Sequence, residues 1–298
     1  MKMRFWLSFV IFVSWSTSVT ASPITILTTV KPIGLIIEAI SDGTANHQIL
    51  LPVGASPHDY ALKPSDVMKM KKADVIFWAG PELEAFLTTM LQDNPKAVAL
   101  MEHKNTSWRI FESEDEDEHD HSHDHQHDPH FWLGIPQVTS LVPYIVSILS
   151  EKDPNNATIY SQNATLFLTE LNKNRNEIKT QLQSVARQGY FVFHDGYGYF
   201  EDTFRLLHLG HFTVSPDRRP GAKTLYDIRQ KLKQRKAQCV FIEPQFSPNI
   251  VESIVDGTNV KIGVLDPMAS DAPLDKKGYF VFLQQMTSSF YDCLSPTL

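Results

Sequence analysis

Three histidines that are far apart in the chain, His58, His130 and His194, occupy positions where α/β proteins commonly carry functional groups. His58 lies just past an apolar segment that is predicted to be a strand, and His194 directly follows another. His130 lies where a polar run gives way to the apolar sequence FWLG. Two carboxylates, Glu243 and Asp266, end further predicted strands. Because ligands of open α/β sheets bind beyond the carboxyl ends of the strands, these side chains are candidates for one common site.

Three imidazoles of this kind point to the binding of a divalent metal ion. Neutral imidazole is a good ligand for Zn²⁺, and three protein ligands with one further position form a common tetrahedral set. The same set would suit a secreted zinc hydrolase, in which the metal activates water and Glu243 or Asp266 serves as general base. The sequence contains no HExxH motif, which disfavours the hydrolase. The other histidines outside the acidic run are interpreted as structural or surface residues: His47, His103, His208 and His211.

Residues 114–132 form an acidic run that contains six histidines and eight carboxylates but no lysine or arginine. The run lacks apolar periodicity, which predicts a disordered loop over about residues 112–128. Because a disordered chain loses conformational entropy each time it wraps a metal ion, the affinity of such a loop should be low. We therefore expect an accessory metal-binding loop rather than the main site, with five alternating histidines: His119, His121, His123, His125 and His127.

The elements that would position the candidate ligands follow the pattern of an α/β protein. Short apolar segments alternate with helical patterns on both sides of the acidic run, which predicts parallel sheets with crossover helices. From Ala164 to Val185, apolar residues recur at three- and four-residue spacing, which is typical of an amphipathic helix. We divide the chain into a segment 1–21, an N-terminal α/β lobe (22–157), a connecting helix (158–188) and a C-terminal α/β lobe (189–298).

Residues 1–21 resemble a cleaved export signal. Two basic residues precede an apolar stretch that is too short to span a bilayer comfortably, and small residues near Ala21 suit a cleavage site. The formal net charge of −7 disfavours a nucleic-acid partner and suits a cationic ligand. The absence of GxGxxG, GxxxxGK[ST] and GxSxG motifs disfavours nucleotide-binding and serine-hydrolase functions.

The chain has two cysteines, Cys239 and Cys293, which are 54 positions apart. In an exported protein such a pair favours a disulfide over two free thiols. A metal site with two thiolates is the alternative, but neither a CxxC spacing nor an adjacent histidine supports it.

Several segments together resemble one known family: LLPVGASPHDYALKPSDV, DPHFWLG, FVFHDGYGYFE, GHFTVSPDRRPGA, CVFIEPQFSP and GVLDPM. They are similar, in the same order, to the zinc-uptake ABC transporter substrate-binding proteins of Gram-negative bacteria, the cluster A-I metal-binding family. The similarity covers essentially the whole mature chain and includes an acidic, histidine-rich loop at the same place. The resemblance implies two Rossmann-like lobes joined by one long rigid helix, with a metal ion in the cleft between the lobes.

The resemblance also implies roles for individual residues. The metal ligands would be His58, His130 and His194. Some family members carry a glutamate immediately before the first ligand, where this chain has Pro57, so the fourth position would belong to water or to Asp266. Related manganese binders carry a carboxylate where His194 stands, and an imidazole there favours zinc, since Mn²⁺ prefers oxygen ligands.

The function that the resemblance implies is that of a non-enzymatic periplasmic protein. It would capture Zn²⁺ and deliver it to an inner-membrane ABC permease for high-affinity uptake, as a monomer that contacts the permease transiently. A manganese- or iron-binding protein of the same fold is the alternative. The pairing of Cys239 with Cys293 matches a disulfide of this family.

Overall fold

The computed structural model describes residues 22–111, 127–214, 216, 220–234 and 237–296. The predictions for residues 1–21 and for four histidines of the acidic run concern positions outside the described residues: His119, His121, His123 and His125. Within the described ranges, no helix combines the length and the apolar character that crossing a membrane would require.

The N-terminal lobe contains a four-stranded parallel sheet with the strand order β2-β1-β3-β4. Its strands are β1 (Thr25–Thr28), β2 (Asn46–Ile49), β3 (Val75–Trp78) and β4 (Ala97–Ala99). Its helices are α1 (Lys31–Ser41), α2 (Pro64–Lys72) and the short α3 (Thr88–Leu91). Both α1 and α2 have a proline in their first turn, where the missing N–H would have no helical partner. The central strands β1 and β3 are almost completely buried, as expected for a parallel sheet that is covered on both faces.

The C-terminal lobe repeats this arrangement with the strand order β6-β5-β7-β8, again all parallel. Its strands are β5 (Tyr190–His194), β6 (His208–Thr213), β7 (Cys239–Ile242) and β8 (Lys261–Val264). Its shorter helices are α6 (Gly198–Phe204), α7 (Ala222–Lys233) and α8 (Asn249–Val255). In each lobe the strand that comes first in the chain, β1 or β5, lies in the middle of the sheet. The next strand is added on one side of it and the remaining two strands on the other side. The carboxyl end of such a strand is the usual place for a ligand.

Three long helices join the lobes: α4 (Ile135–Lys152), α5 (Ala157–Leu182) and α9 (Gly278–Leu294). Helix α5 packs against α1, α4 and α9, and α9 also packs against α1. At the start of α9, a Cβ atom on Gly278 would lie 2.0 Å from the carbonyl oxygen of Pro273 and 2.8 Å from Cδ2 of Leu35. Only glycine therefore allows this close approach. Because one continuous apolar core includes residues of both lobes, the lobes are held together by more than a linker.

A disulfide between Cys239 and Cys293 is confirmed, with a Cα–Cα separation of 5.9 Å. It joins the first residue of β7 to the last turn of α9. The link therefore fixes the central part of the C-terminal sheet to a helix that also contacts the N-terminal lobe.

Several elements differ in extent from their sequence predictions. The pattern over residues 81–92 predicts one helix, but the structure has only a 3₁₀ turn (Ala85–Leu87) followed by α3. The reason is that the buried carboxylate of Glu84 turns back to accept hydrogen bonds from the backbone N–H groups of Ala79 and Gly80. The pattern over residues 48–53 predicts a strand, but strand β2 begins two residues earlier, at Asn46, and already ends at Ile49. The connecting helix, predicted over 158–188, spans Ala157–Leu182. Residues 183–187 form turns instead of helix.

Candidate metal centre

The side chains of His58, His130 and His194, called the triad below, come together in the folded chain. One nitrogen of each imidazole lies within 4.8 Å of the other two. The Nε2 atom of His130 is 3.3 Å from Nε2 of His58 and 3.2 Å from Nε2 of His194. His58 lies in the loop after β2, His130 directly precedes a 3₁₀ turn (Phe131–Leu133), and His194 is the last residue of β5. The triad therefore combines residues of both lobes.

The spacing of the triad nitrogens matches a tetrahedral zinc site. Zn–N bonds of about 2.0–2.1 Å at tetrahedral angles place neighbouring nitrogens about 3.3–3.4 Å apart. The two Nε2–Nε2 separations of 3.3 and 3.2 Å agree with that geometry. Three imidazole nitrogens at these separations form a set that one cation can bind.

His130 is fixed by residues that are close to it in sequence. The Oδ1 atom of Asp128 accepts a hydrogen bond from the His130 backbone N–H at 3.0 Å and lies 2.9 Å from its Nδ1. The ring of Trp132 packs against the imidazole with 5.4 Å between centroids, and its Nε1–H donates to the carbonyl oxygen of Pro267 in the C-terminal lobe. His130 is 2% exposed and Asp128 is completely buried. The ring of His130 is therefore held on two sides.

His194 is fixed by the neighbouring strand. Strands β5 and β7 are adjacent and parallel, so the residue that follows β7, Glu243, lies beside the end of β5. Its Oε1 atom is 2.5 Å from Nδ1 of His194, and the two side chains are only 1% and 2% exposed. Glu243, predicted from the sequence to be a carboxylate near the site, contacts His194, one of the three candidate ligands.

The two carboxylates determine which nitrogen of each imidazole carries the proton. When Asp128 and Glu243 are ionised, they accept the Nδ1–H groups of His130 and His194. The Nε2 lone pairs then point toward the centre of the triad. This carboxylate–histidine arrangement is common around zinc, where the outer carboxylate orients the ring and increases its basicity. Two buried negative charges also offset the charge of a divalent cation.

Proton competition differs between the two buried histidines. Burial lowers the pKa of His130 well below 6.5, and the nearby His194 lowers it further. Burial also lowers the pKa of His194, but Glu243 and the neighbouring aspartates outweigh that effect, so its pKa is raised overall. Burial raises the pKa of Asp128 to about 6, against the opposing effects of its hydrogen bonds and of Arg109. Near neutral pH, His194 is therefore the member of this buried pair at which a proton competes with a metal ion.

Asp128, which contacts His130, is not predicted as a site residue from the sequence. The prediction includes it in the disordered loop, but the described chain resumes at His127, which forms an antiparallel bridge with Ile110. The backbone N–H of Asp128 donates to the carbonyl oxygen of Arg109 at 2.8 Å. The available signal was its spacing, since Asp128 lies two residues before the candidate ligand His130. His127, which is predicted to belong to the accessory loop, lies in this bridge.

Asp266 is not among the described residues whose ligand atoms cluster with the triad. Its Oδ1 accepts hydrogen bonds from the side chain of Gln245 at 2.7 Å and the backbone of Met268 at 3.1 Å. Its Oδ2 accepts a hydrogen bond from the backbone N–H of Ser270 at 2.6 Å. Because both oxygens stabilise the turn after β8, this geometry does not support Asp266 as the fourth ligand.

A second group of metal-type side chains, Asp195, Glu201 and His208, lies in the C-terminal lobe with ligand atoms within 4.8 Å of one another. The Glu201 oxygens already have partners: Oε1 accepts the Tyr190 hydroxyl at 2.8 Å, and Oε2 is 3.2 Å from Nδ1 of His208. Burial lowers the pKa of His208, but Glu201 outweighs it and raises that pKa overall. The His208 ring also stacks on Tyr190. We interpret this group as a structural ion pair.

The sequence also matches proteins of known class. The family model described as zinc-uptake complex component A, periplasmic (ZnuA), matches residues 26–293. The chain belongs to the ZnuA family. Two relatives called high-affinity zinc uptake system protein ZnuA, from Yersinia pestis and Haemophilus ducreyi, are each 41% identical to it. These alignments cover 90% and 91% of this chain and 91% and 93% of the relatives. A crystal structure of ZnuA has the same fold, with a TM-score of 0.79 and 24% identity over 92% of this chain and 100% of that one.

Membership in the ZnuA family identifies the class of this protein. A ZnuA protein is the solute-binding component of a transporter and not an enzyme, so the alternative of a secreted zinc hydrolase is excluded. The candidate general bases of that alternative are engaged elsewhere, Glu243 with His194 and Asp266 with its own turn. The ZnuA structure also confirms the predicted architecture of two α/β lobes.

Proposed function

We propose that this chain binds one Zn²⁺ ion between its lobes and delivers it to the membrane permease of an ABC transporter for high-affinity uptake. The ion would be held by the Nε2 atoms of the triad, His58, His130 and His194. The observation that carries the proposal is the convergence of these three imidazoles within 4.8 Å. The names of the relatives, high-affinity zinc uptake proteins, support zinc as the cargo.

The ligand set favours zinc over manganese and iron(II). Zinc accepts three imidazoles readily, whereas Mn²⁺ prefers carboxylate, carbonyl and water oxygens. The nearest carboxylates, Asp128 and Glu243, face the Nδ1 atoms of His130 and His194. They therefore act as outer partners of the imidazoles rather than as oxygen ligands.

We assign the fourth position of the tetrahedron to a water molecule. Pro57 precedes His58 and offers no side-chain ligand. Both oxygens of Asp266 already accept hydrogen bonds, from the backbone of its own turn and from the side chain of Gln245. A water ligand completes the zinc coordination without breaking those bonds.

Capture and release would take place through the loop of His58. Residues 50–63 contain no helix or strand, and His58 is half-buried, whereas His130 and His194 are each 2% exposed. Helix α5 packs on elements of both lobes, so a wide hinge motion is disfavoured. A small displacement of this loop would open the site and leave the two buried ligands in place.

We further propose that the protein acts in the periplasm as a monomer after removal of residues 1–21, with transient contact to the permease. The acidic loop would bind additional zinc weakly. A variant lacking residues 112–126 is then expected to keep the tight site and to bind fewer ions in equilibrium dialysis at excess zinc. A tenfold or larger loss of tight affinity in that variant would show that the loop belongs to the main site.

Competition titration of the metal-free protein against a zinc chelator of known affinity tests the triad. We expect His58→Ala, His130→Ala and His194→Ala each to weaken zinc binding by more than about 100-fold, because losing only an outer partner of a ligand typically costs 10- to 100-fold. The matched control is His103→Ala. The His103 ring stacks on Tyr144, its Nδ1 is 2.9 Å from Oγ1 of Thr106, and it lies outside the triad. Wild-type affinity in both His58→Ala and His194→Ala would reject the proposal.

A further inference from the structure

We infer that Arg109 is a positioning residue for the metal site, which acts on His130 through Asp128, and that Gly198 provides the space its guanidinium needs. The inference rests on the proposed zinc site. Arg109 belongs to the N-terminal lobe, and the glycine that leaves room for its side chain, Gly198, belongs to the C-terminal lobe.

The contacts of Arg109 form a chain that ends at a ligand. Its Nη1 donates a hydrogen bond to Oδ2 of Asp128 at 3.2 Å. The other oxygen of the same carboxylate, Oδ1, holds the backbone N–H and the Nδ1 of His130 at 3.0 and 2.9 Å. One oxygen of Asp128 therefore contacts Arg109 and the other contacts His130. By holding the first oxygen, Arg109 determines the orientation of the carboxylate.

The backbone of the same segment is held by the opposite lobe. The hydroxyl of Tyr199 accepts a hydrogen bond from the backbone N–H of Arg109 at 2.9 Å. It donates to the carbonyl oxygen of Asp128 at 2.8 Å. One side chain of α6 therefore bridges both residues that orient His130.

The guanidinium lies between the lobes. Its Nη1 is 3.7 Å from Oδ1 of Asp195 and its Nε is 3.8 Å from Oδ2 of Asp202, both in the C-terminal lobe. Asp195 directly follows the ligand His194. Arg109 thus connects the segment before one buried ligand with the segment after the other, and its side chain is 19% exposed.

Gly198, the first residue of α6, is what admits this side chain. A Cβ atom at position 198 would lie 2.2 Å from Cζ and Nε of Arg109 and 2.5 Å from Nη1. The backbone of Gly198 does not have positive φ, so alanine is compatible with its conformation. The clash would involve the flexible end of one side chain. Gly198→Ala should therefore displace the guanidinium while every charged group and every ligand stays in the chain.

The test measures zinc affinity by chelator competition in Arg109→Gln, Arg109→Lys and Gly198→Ala. The matched control is Arg175→Gln, which removes an exposed arginine from α5. We expect Kd to rise about 10- to 100-fold in Arg109→Gln, as for other outer partners of a metal ligand. Arg109→Lys should bind zinc more tightly than Arg109→Gln but more weakly than the wild type. Gly198→Ala should also weaken zinc binding, while its circular dichroism spectrum shows an intact fold. Arg175→Gln should bind zinc as the wild type does.

A double-mutant cycle with His130→Ala distinguishes an effect of Arg109 on His130 from a purely structural role of Arg109. If Arg109 acts through His130, Arg109→Gln has little further effect on Kd once His130 is absent, whereas independent effects multiply. The ¹⁵N chemical shifts of the His130 imidazole in the metal-free protein should also show loss of the single Nδ1–H tautomer in Arg109→Gln and Gly198→Ala.

The inference is overturned if a folded Gly198→Ala variant binds zinc with wild-type affinity. It is also overturned if the increases in Kd caused by Arg109→Gln and His130→Ala multiply in the double variant. If Arg109→Gln does not fold, Gly198→Ala still decides the question because it removes no charged group. Failure of the proposed function itself looks different. In that case the triad variants bind zinc as the wild type does, irrespective of position 109.

Discussion

Replacing Glu243 by glutamine tests whether the buried carboxylates contribute to metal affinity or only to packing. The change keeps the size of the side chain but removes its charge. Oε1 of Glu243 is 2.5 Å from Nδ1 of His194, and both side chains are almost completely buried. A hydrogen bond to a charged group contributes about 1.5–3 kcal/mol, against about 1 kcal/mol for a neutral pair. The difference of about 0.5–2 kcal/mol predicts a roughly 2- to 30-fold weaker zinc affinity near neutral pH.

The pH dependence of this effect has a defined sign. Although burial lowers the pKa of His194, Glu243 is the main group that raises it above its usual value. In the wild type, a proton on His194 therefore competes with zinc once the pH falls below that raised pKa, and the apparent affinity then declines by up to about tenfold per pH unit. In Glu243→Gln the pKa of His194 is lower, so proton competition begins at a lower pH. The ratio of the two dissociation constants should accordingly shrink as the pH falls.

The assay is chelator competition at several pH values, with Glu201→Gln as the matched control. Glu201 forms a similar buried pair with His208, at 3.2 Å, outside the triad. Its replacement should lower stability without weakening zinc binding. The reasoning is refuted if Glu243→Gln binds zinc as tightly as the wild type at neutral pH, or if Glu201→Gln loses as much affinity.

Three further outcomes follow from particular side chains. Replacing Cys239 and Cys293 together by serine should lower the free energy of unfolding by about 4 kcal/mol, the chain-entropy value for residues 54 positions apart; thermal unfolding measures this, and an unchanged melting temperature contradicts it. Asp266→Asn should leave zinc affinity within about threefold, because Asp266 lies outside the triad and accepts hydrogen bonds from the turn that follows β8; a loss of about 100-fold in a competition titration would instead make Asp266 a ligand. Burial raises the pKa of Glu84 from 4.5 to about 7. Its contribution to stability is therefore complete below pH 4.5 and is lost as the pH rises to about 7, so the unfolding free energy of the wild type should fall by about 3 kcal/mol relative to Glu84→Gln over that range. A constant difference in chemical denaturation would show that Glu84 does not titrate there.

The architecture could be predicted from the sequence because buried parallel strands are marked by continuous apolar segments. Strands β1, β3, β5 and β7 all lie within such segments. The convergence of the triad could be predicted because two of its members follow apolar segments and the third directly precedes the apolar sequence FWLG. Strand β4, with three residues in the sequence AVA, is too short to give a pattern. Helix α3 is shorter than its pattern suggests because Glu84 bonds to the preceding backbone.

The outer partners of the triad were harder to predict, for a physical reason. Asp128 is one of eight carboxylates in the acidic run, and residue type alone does not show that Asp128 is buried beside His130. The role of Arg109 depends on contacts to residues 19, 86 and 93 positions away, in both lobes. Gly198 follows a strand end, where glycine is common, and its importance comes from a side chain of the other lobe. These residues are determined by tertiary contacts, which no local sequence pattern records.

The proposed zinc site has ligands of two kinds, and this difference bears on transport. His130 and His194 are buried and hydrogen-bonded to buried carboxylates, which hold their Nε2 atoms facing the centre of the triad. Two anionic partners offset the +2 charge of zinc, which favours tight binding. A site that must also release its ion needs one ligand that can leave at low cost. His58 has the required properties, since it is half-buried and lies on a loop without helix or strand. A contact that moves this loop would remove one of three ligands and leave the other two preorganised for the next ion.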